Sequence, residues 1–176
     1  MQENIPTALQ VIFGRRSIRV FRPGAVSEAT VELLLQAAMA APSAVAKDPW
    51  HFVVIRQQDN LQRLADVLPH GKMLASAAVG IVVCGDLEVA HDRQLSYLLQ
   101  DCSAAIENLL LAVQSQGLGA CWLGVHPRED RIRDVKAILG LPDSIIPVSA
   151  IAIGQPGEIK EPRTRYQASH VRFEKW

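Results

Sequence analysis

The sequence has little cysteine, no excess of charge of either sign and no long hydrophobic run. Its three cysteines, Cys84, Cys102 and Cys121, are too far apart for a zinc-binding pair and lie in apolar segments, where free cysteine usually behaves as a small buried hydrophobe. No segment approaches membrane-spanning length, and the N-terminus lacks the pattern of a signal peptide. We therefore expect a reduced, cytoplasmic protein without a membrane partner.

The balance of charge argues against a nucleic-acid partner. Eighteen lysines and arginines offset eighteen aspartates and glutamates, so the formal net charge is zero. A chain with no net positive field does not hold a polyanion non-specifically, and basic residues here are not interleaved with aromatic ones. A nucleic-acid-binding protein is the least expected class.

The usual catalytic motifs are missing as well. The sequence contains no G-x-G-x-x-G after a strand, no P-loop, no G-x-S-x-G and no H-E-x-x-H. Its five histidines are scattered, and none is paired at the spacing of metal ligands. We therefore predict neither a metal site nor a side-chain nucleophile.

What is present is a chain of 176 residues, 49% of them hydrophobic, which suits a single domain over residues 1–176 with a sizeable core. Apolar periodicity and turn signals predict helices interleaved with strands, an α+β sandwich around a small central sheet. Helices are predicted over residues 6–13, 27–39 (N-capped by Ser27), 59–68 (opened by a capping box of Asp59 and Gln62), 94–117 and 129–139. Strands are predicted over residues 50–56, 77–86, 120–125 and 146–158.

The composition of the long helix predicted over residues 94–117 indicates self-association. Asp101 and Glu107 are its charged residues, and apolar positions extend around most of its circumference. Such a helix must be buried on nearly every side. We expect a homodimer packed along it, the alternative being a helix enclosed by its own sheet and helices. The polar C-terminal tail ends in Phe173 and Trp176, so we expect it to dock on its own subunit or on the neighbour.

Two arginine clusters are the strongest candidates for ligand binding. Arg15, Arg16 and Arg19 surround Ser17, and the tail carries Arg163 and Arg165. Guanidinium forks match phosphate oxygens, and a serine hydroxyl adds a further hydrogen-bonding group. Each cluster alone is also compatible with a solvated charged loop. Together they suit an anionic, flat, partly apolar ligand.

The order of several motifs resembles the FMN-dependent nitroreductases. Five segments, which together span nearly the whole chain, carry the resemblance: "RRSIR" (15–19), "APSAVAKDPWHFVV" (41–54), "DCSAAIENLLLAVQSQGLGACWLGVHP" (101–127), "GLPDSIIPVSAIAIGQPGE" (140–158) and the closing "PRTR…EKW" (162–176). Each motif alone is moderately specific, but five in the family's order and spacing are strong. The resemblance implies an intertwined homodimer with a mostly antiparallel sheet flanked by helices and FMN at the subunit interface.

The resemblance also implies roles for individual residues. The FMN phosphate and ribityl chain would be met by Arg15, Arg16, Ser17 and Arg19, with Arg163 and Arg165 closing on the phosphate. The isoalloxazine would be met by Pro42, Ser43, Ala44 and Ala46 of the loop from the other subunit, by Lys72 at the pyrimidine edge, and by Trp122, Leu123 and Gly124 along the ring.

The implied activity is reduction of nitroaromatics, quinones or similar flat acceptors by NAD(P)H, in a ping-pong cycle whose chemistry FMN carries. Two positions depart from the family pattern: Ala46 replaces an asparagine and Asp48 a glutamine. Either change is expected to weaken FMN binding, shift the FMN potential or narrow the range of substrates. The alternatives are an FMN-binding module with little turnover and a specialised reductase for one substrate. The short segment 86–94 leaves little to cover a substrate, which favours an open site.

Overall fold

A computed structural model describes residues 6–176 and shows helices on both faces of one sheet. Over these residues the helices are α1 (Thr7–Gly14), α2 (Glu28–Met39), α3 (Gln58–Val67), α4 (Leu95–Ser115) and α5 (Glu129–Leu139). The strands are β1 (Phe21–Arg22), β2 (Trp50–Ile55), β3 (Val79–Asp86), β4 (Gly119–Gly124) and β5 (Ile145–Pro156).

The sheet is built around β5, the longest strand. β5 pairs antiparallel with β3 and β4 along most of its length and with β1 near its end, while β2 pairs antiparallel with β3. One parallel bridge joins Ser17 to Ala120, so the "RRSIR" segment runs beside the start of β4. The mostly antiparallel sheet expected from the sequence is confirmed.

Two hydrophobic cores lie on opposite faces of the sheet. Successive side chains of a strand point to opposite faces, so Ile151 and Ile153 of β5 pack with α2 and α4 while Ala150 and Ala152 pack with α3 and α5. This arrangement explains why β3 and β5 read as continuous apolar runs: both of their faces are covered.

Most of the helix ends that the sequence predicted are confirmed. The Ser27 hydroxyl accepts a hydrogen bond from the Thr30 N–H at 3.0 Å and caps α2, and Gly140 follows α5 in the left-handed conformation. The predicted capping box was wrong: α3 begins at Gln58 with Gln57 at the N-cap position. Asp59 lies inside the first turn, where its charge suits the positive end of the helix dipole.

This chain leaves α1 and one side of α4 incompletely covered. α4 buries one side, including Leu109, whereas Leu111 on the opposite side remains half-buried. Within the described part of the chain, no residue of the apolar helix α1 is buried. Phe173 and Trp176 are 85% and 100% exposed, so the aromatic tail does not dock on its own subunit. None of the helices described is long and apolar enough to cross a membrane.

Candidate functional site

A cavity of about 560 Å³ opens beside the outer edge of β4. Its lining comes from β4, from the segment after α3, from the first turn of α5 and from the end of the "RRSIR" segment. The residues are Arg19, Leu68, Pro69, His70, Lys72, Cys121, Trp122, Leu123, Gly124 and Arg131. The structure thus brings together five of the residues singled out in the sequence: Arg19, Lys72, Trp122, Leu123 and Gly124.

The backbone of β4 faces this cavity with hydrogen-bonding groups. The Ile18 N–H donates to the Ala120 carbonyl at 2.9 Å on the outer side of β4. Because backbone groups alternate between the two sides of a strand, those of Trp122 and Gly124 point to the same outer side. The Gly124 carbonyl accepts a hydrogen bond from Arg131 Nη1 at 3.0 Å, in agreement with this direction. A ligand in the cavity can therefore be met by main-chain atoms.

Among the described residues, no neighbouring atom excludes a side chain at the position of Gly124. A Cβ built there comes no nearer to another described atom than 3.9 Å, from the His126 carbonyl oxygen. At Gly85 and Gly119 a Cβ would clash with Leu98 at 2.4 Å and with Ile18 at 2.8 Å. The space at Gly124 belongs to the cavity, which suits the close approach of a flat ligand to the strand.

The charge of the cavity is positive. Within residues 6–176, the side chains of Arg19, Lys72 and Arg131 form no ion pair, and the Arg131 Nε is buried without a hydrogen-bond partner. Leu68 and Trp122 contribute apolar surface beside these cations. The combination suits a ligand that is flat and apolar in one part and anionic in another.

The arginines of "RRSIR" have separate surroundings in this chain. Arg15 Nε forms an ion pair with Glu107 Oε1 on α4 at 3.2 Å, and Arg16 Nη1 donates to the Glu161 carbonyl. Arg19 alone of the three lines the cavity. The segment passes the cavity with one guanidinium directed to it and two directed to other parts of the molecule.

Glu158 and Lys160, which sequence reasoning missed, hold this segment in place. Glu158 Oε1 accepts the Arg19 N–H at 2.6 Å, and Lys160 Nζ donates to the Ser17 carbonyl at 2.7 Å. The hydrogen bond from the Arg19 N–H, followed by that from Lys160, keeps the pKa of Glu158 below its ordinary value. The sequence signal was their position at and just after the end of the last predicted strand. The predicted partners, Arg163 and Arg165, are exposed and lie outside the cavity lining.

The loop over residues 41–48 also lies outside the cavity lining of its own chain, including Pro42, Ser43, Ala44 and Ala46. Asp101, a further residue that sequence reasoning did not assign to the site, anchors it: Asp101 is 5% exposed, and its Oδ1 accepts the Ala44 N–H at 2.9 Å. The Ser43 hydroxyl donates to Asp48 Oδ1 and accepts the Asp48 N–H. The Asp48 carboxylate is therefore engaged within its own loop.

The three thiols are buried, and burial suppresses their ionisation. Burial raises the pKa of Cys84 and of Cys102 to about 12 and also raises that of Cys121 beside the cavity. All three thiols are consequently protonated near neutral pH. Among residues 6–176 no group of histidine, cysteine, aspartate and glutamate side chains could hold a metal ion.

Comparison with known proteins decides the family. The model of the nitroreductase family matches residues 12–71 and 67–155. The chain belongs to the nitroreductase family. This nitroreductase is 40% identical over 171 residues to a protein of Archaeoglobus fulgidus provisionally named an NADH dehydrogenase/NAD(P)H nitroreductase, with 96% of this chain and 98% of the relative covered.

Solved structures agree with this fold. A Bacteroides thetaiotaomicron protein of the same provisional name superposes with a TM-score of 0.91 at 37% identity, covering 97% of this nitroreductase and 99% of that chain. A provisionally named nitroreductase of Desulfovibrio desulfuricans, solved in complex with FMN, superposes with a TM-score of 0.83 at 32% identity. The superposition covers 97% of this chain and 98% of the Desulfovibrio chain.

Proposed function

We propose that this nitroreductase is an NAD(P)H-dependent oxidoreductase that holds FMN in the cavity beside β4, within a single domain over residues 1–176. The observation that carries the proposal is the cavity itself, which joins cations that form no ion pair within residues 6–176 to apolar surface and to a strand edge with open space at Gly124. The names of the Archaeoglobus relative and the FMN complex of the Desulfovibrio relative support the same cofactor and electron donor.

The residues present fit FMN. The buried Arg131 Nε has no partner among the described residues, and an anionic cofactor would compensate this group and the positive charges of Arg19 and Lys72. Lys72, Trp122, Leu123 and Gly124, which line the cavity, would hold the ring, and Arg19 would meet an anionic part of the cofactor. The resemblance of "RRSIR" to the family motif supports Arg15, Arg16 and Ser17 as further contacts of the phosphate and ribityl chain, which would require Arg15 to leave Glu107 and Arg16 to leave the Glu161 carbonyl. When bound, FMN supplies the transfer of hydride between NAD(P)H and an acceptor.

A homodimer completes this site. In one chain the loop that carries Pro42–Ala44 and Ala46 lies outside the cavity lining, as do Arg163 and Arg165. Helix α1 exposes apolar side chains beside α4, among them Ile12 at 46%. A second copy packed on α1 and α4 would cover this surface and bring its own loop and tail to the cavity.

The acceptors we propose are nitroaromatics, quinones and similar flat oxidants that replace NAD(P)H at the same face in a ping-pong cycle. The segment between β3 and α4 supports this open site, because it holds only a tight turn and one short helical turn (His91–Arg93). We also propose a cytoplasmic location, which the three free, buried cysteines favour.

The test is the absorption spectrum of the purified protein, followed by anaerobic mixing with NADH or NADPH. We expect a flavin band that bleaches with one of the two donors, and parallel double-reciprocal lines when donor and acceptor are varied. A protein that stays colourless even after FMN is added would show that FMN is not its cofactor. A yellow protein that neither donor bleaches would be a binding module without turnover.

A further inference from the structure

Arg131 lies in the first turn of α5, where a positive charge is unfavourable. It is the third residue of α5, beside the positive end of the helix dipole, where Glu129 and Asp130 are favourable but a cation is not. Neither acidic neighbour forms an ion pair with it. Its side chain instead turns back towards β4 and donates from Nη1 to the Gly124 carbonyl at 3.0 Å.

The surroundings of Arg131 leave its charge without a counterion. Its Nε is buried and has no hydrogen-bond partner among residues 6–176, an arrangement that costs free energy unless a ligand offsets it. Arg133, two residues further along α5, is solvated and pairs with Asp134 at 2.9 Å. The difference between these two arginines is that Arg131 lines the cavity.

We propose that Arg131 is a further residue of the cofactor site, whose guanidinium stabilises the negative charge of reduced FMN. The inference rests on the proposed function. A hydride transferred from NAD(P)H, which leaves as NAD(P)+, adds two electrons, one proton and hence one negative charge to the ring system. A cation in a partly buried cavity favours this charged state over the neutral oxidised one, because Coulomb attraction is stronger away from bulk water. Arg131 thus adds to the charge of Lys72 on the same cavity.

The test compares the midpoint potential of FMN in the full-length protein and in three variants: Arg131→Gln, which removes the charge, Arg131→Lys, which keeps it, and Arg133→Gln, which removes a charge from the same helix outside the cavity. We expect Arg131→Gln to lose about tenfold in affinity for reduced relative to oxidised FMN, equivalent to a potential about 30 mV lower. Arg131→Lys and Arg133→Gln should keep the potential of the unaltered protein.

An unchanged potential in Arg131→Gln, or an equal loss in the Gln and Lys variants, would overturn the proposal. If Arg131→Gln does not fold, Arg131→His provides the same test, since its charge titrates near the ordinary histidine pKa of about 6.5. Its potential should match that of the unaltered protein at acidic pH and fall below it at alkaline pH; a constant difference would overturn the proposal. A failure of the proposed function is distinguishable, because the unaltered protein would then bind no FMN.

Discussion

Two glycines of the same short strand have different reasons to be glycine. Gly119 lies against Ile18, where a Cβ would be 2.8 Å from the Ile18 side chain, so packing within the chain excludes a larger residue. Gly124 faces open space in the cavity. Packing within the described residues therefore explains the first glycine but not the second.

Replacing each glycine by alanine separates these roles. Gly119→Ala should lower the free energy of unfolding by about 1–3 kcal/mol, because the added methyl overpacks the core at Ile18. Gly124→Ala should leave the thermal unfolding of the FMN-free protein unchanged while raising the Kd for FMN. Calorimetry and FMN fluorescence titration measure the two effects. Normal FMN affinity in Gly124→Ala would mean that no ligand approaches the strand closely there.

At the scale of elements, the loop over residues 41–48 depends on α4. Val45, Ala46 and Asp48 have φ near +50°, a conformation that residues other than glycine adopt at a cost. The hydrogen bonds of Ser43 with Asp48 and of Asp101 with the Ala44 N–H hold the chain in that shape. A loop placed in this way is pre-ordered for contact with a ligand or a second subunit.

Asp101→Ala should release the loop. It leaves the Ala44 N–H without its acceptor, which costs about 1–3 kcal/mol when the group stays buried, so the loop should open locally. Hydrogen exchange measured by mass spectrometry should show faster exchange over residues 43–48 than in the unaltered protein. Asp66→Ala is the control, because Asp66 is an exposed carboxylate that accepts a hydrogen bond from Gln62 on α3. Equal protection of the loop in all three proteins would show that Asp101 does not anchor it.

At the scale of the whole molecule, one chain leaves apolar surface uncovered. Its sheet and two cores are fully formed, but the apolar surface of α1, the outer face of α4 and the aromatic tail are left exposed or half-buried. A contiguous apolar surface of this kind is typical of an interface in an obligate dimer.

Ile12→Glu should therefore disrupt the dimer, because it places a charge on the apolar surface that a second copy would bury. Sedimentation velocity should show a dimer for the unaltered protein and a monomer with reduced FMN content for the variant. Val54→Glu changes a comparably exposed apolar residue (37%) on β2, away from α1, and should remain dimeric. Monomeric unaltered protein that binds FMN fully would contradict both the dimer and the shared site.

Much of the fold was predictable because its signals are local. Ser27 caps α2, Gly140 follows α5, and the apolar runs of β3 and β5 exclude any surface position. The failure at Asp59 has a local reason too: an acidic residue is favourable both at the N-cap and inside the first turn, so the boundary was ambiguous. The site was less predictable, since no sequence signal assigned a role in it to Glu158, Lys160, Asp101 or Arg131. The first three act through contacts with segments distant in the chain, and Arg131 acts through a contact with the preceding strand.

The sequence by itself determined the helices, four of the five strands in the described residues, the interleaved fold class and the motif order that indicates the family, because periodicity, capping and motif spacing are properties of neighbouring residues. The two-residue strand β1 was missed, since only its pairing with β5 makes it a strand. Only the tertiary structure determined which charged side chains lie close to one another. It separated Arg15 and Arg16 from Arg19, engaged Asp48 with Ser43, and brought Arg131 and Lys72 to one cavity. The physical reason is that hydrogen bonds and charge interactions depend on distances of a few ångströms, which the pairing of the strands and the packing of the helices establish across the chain.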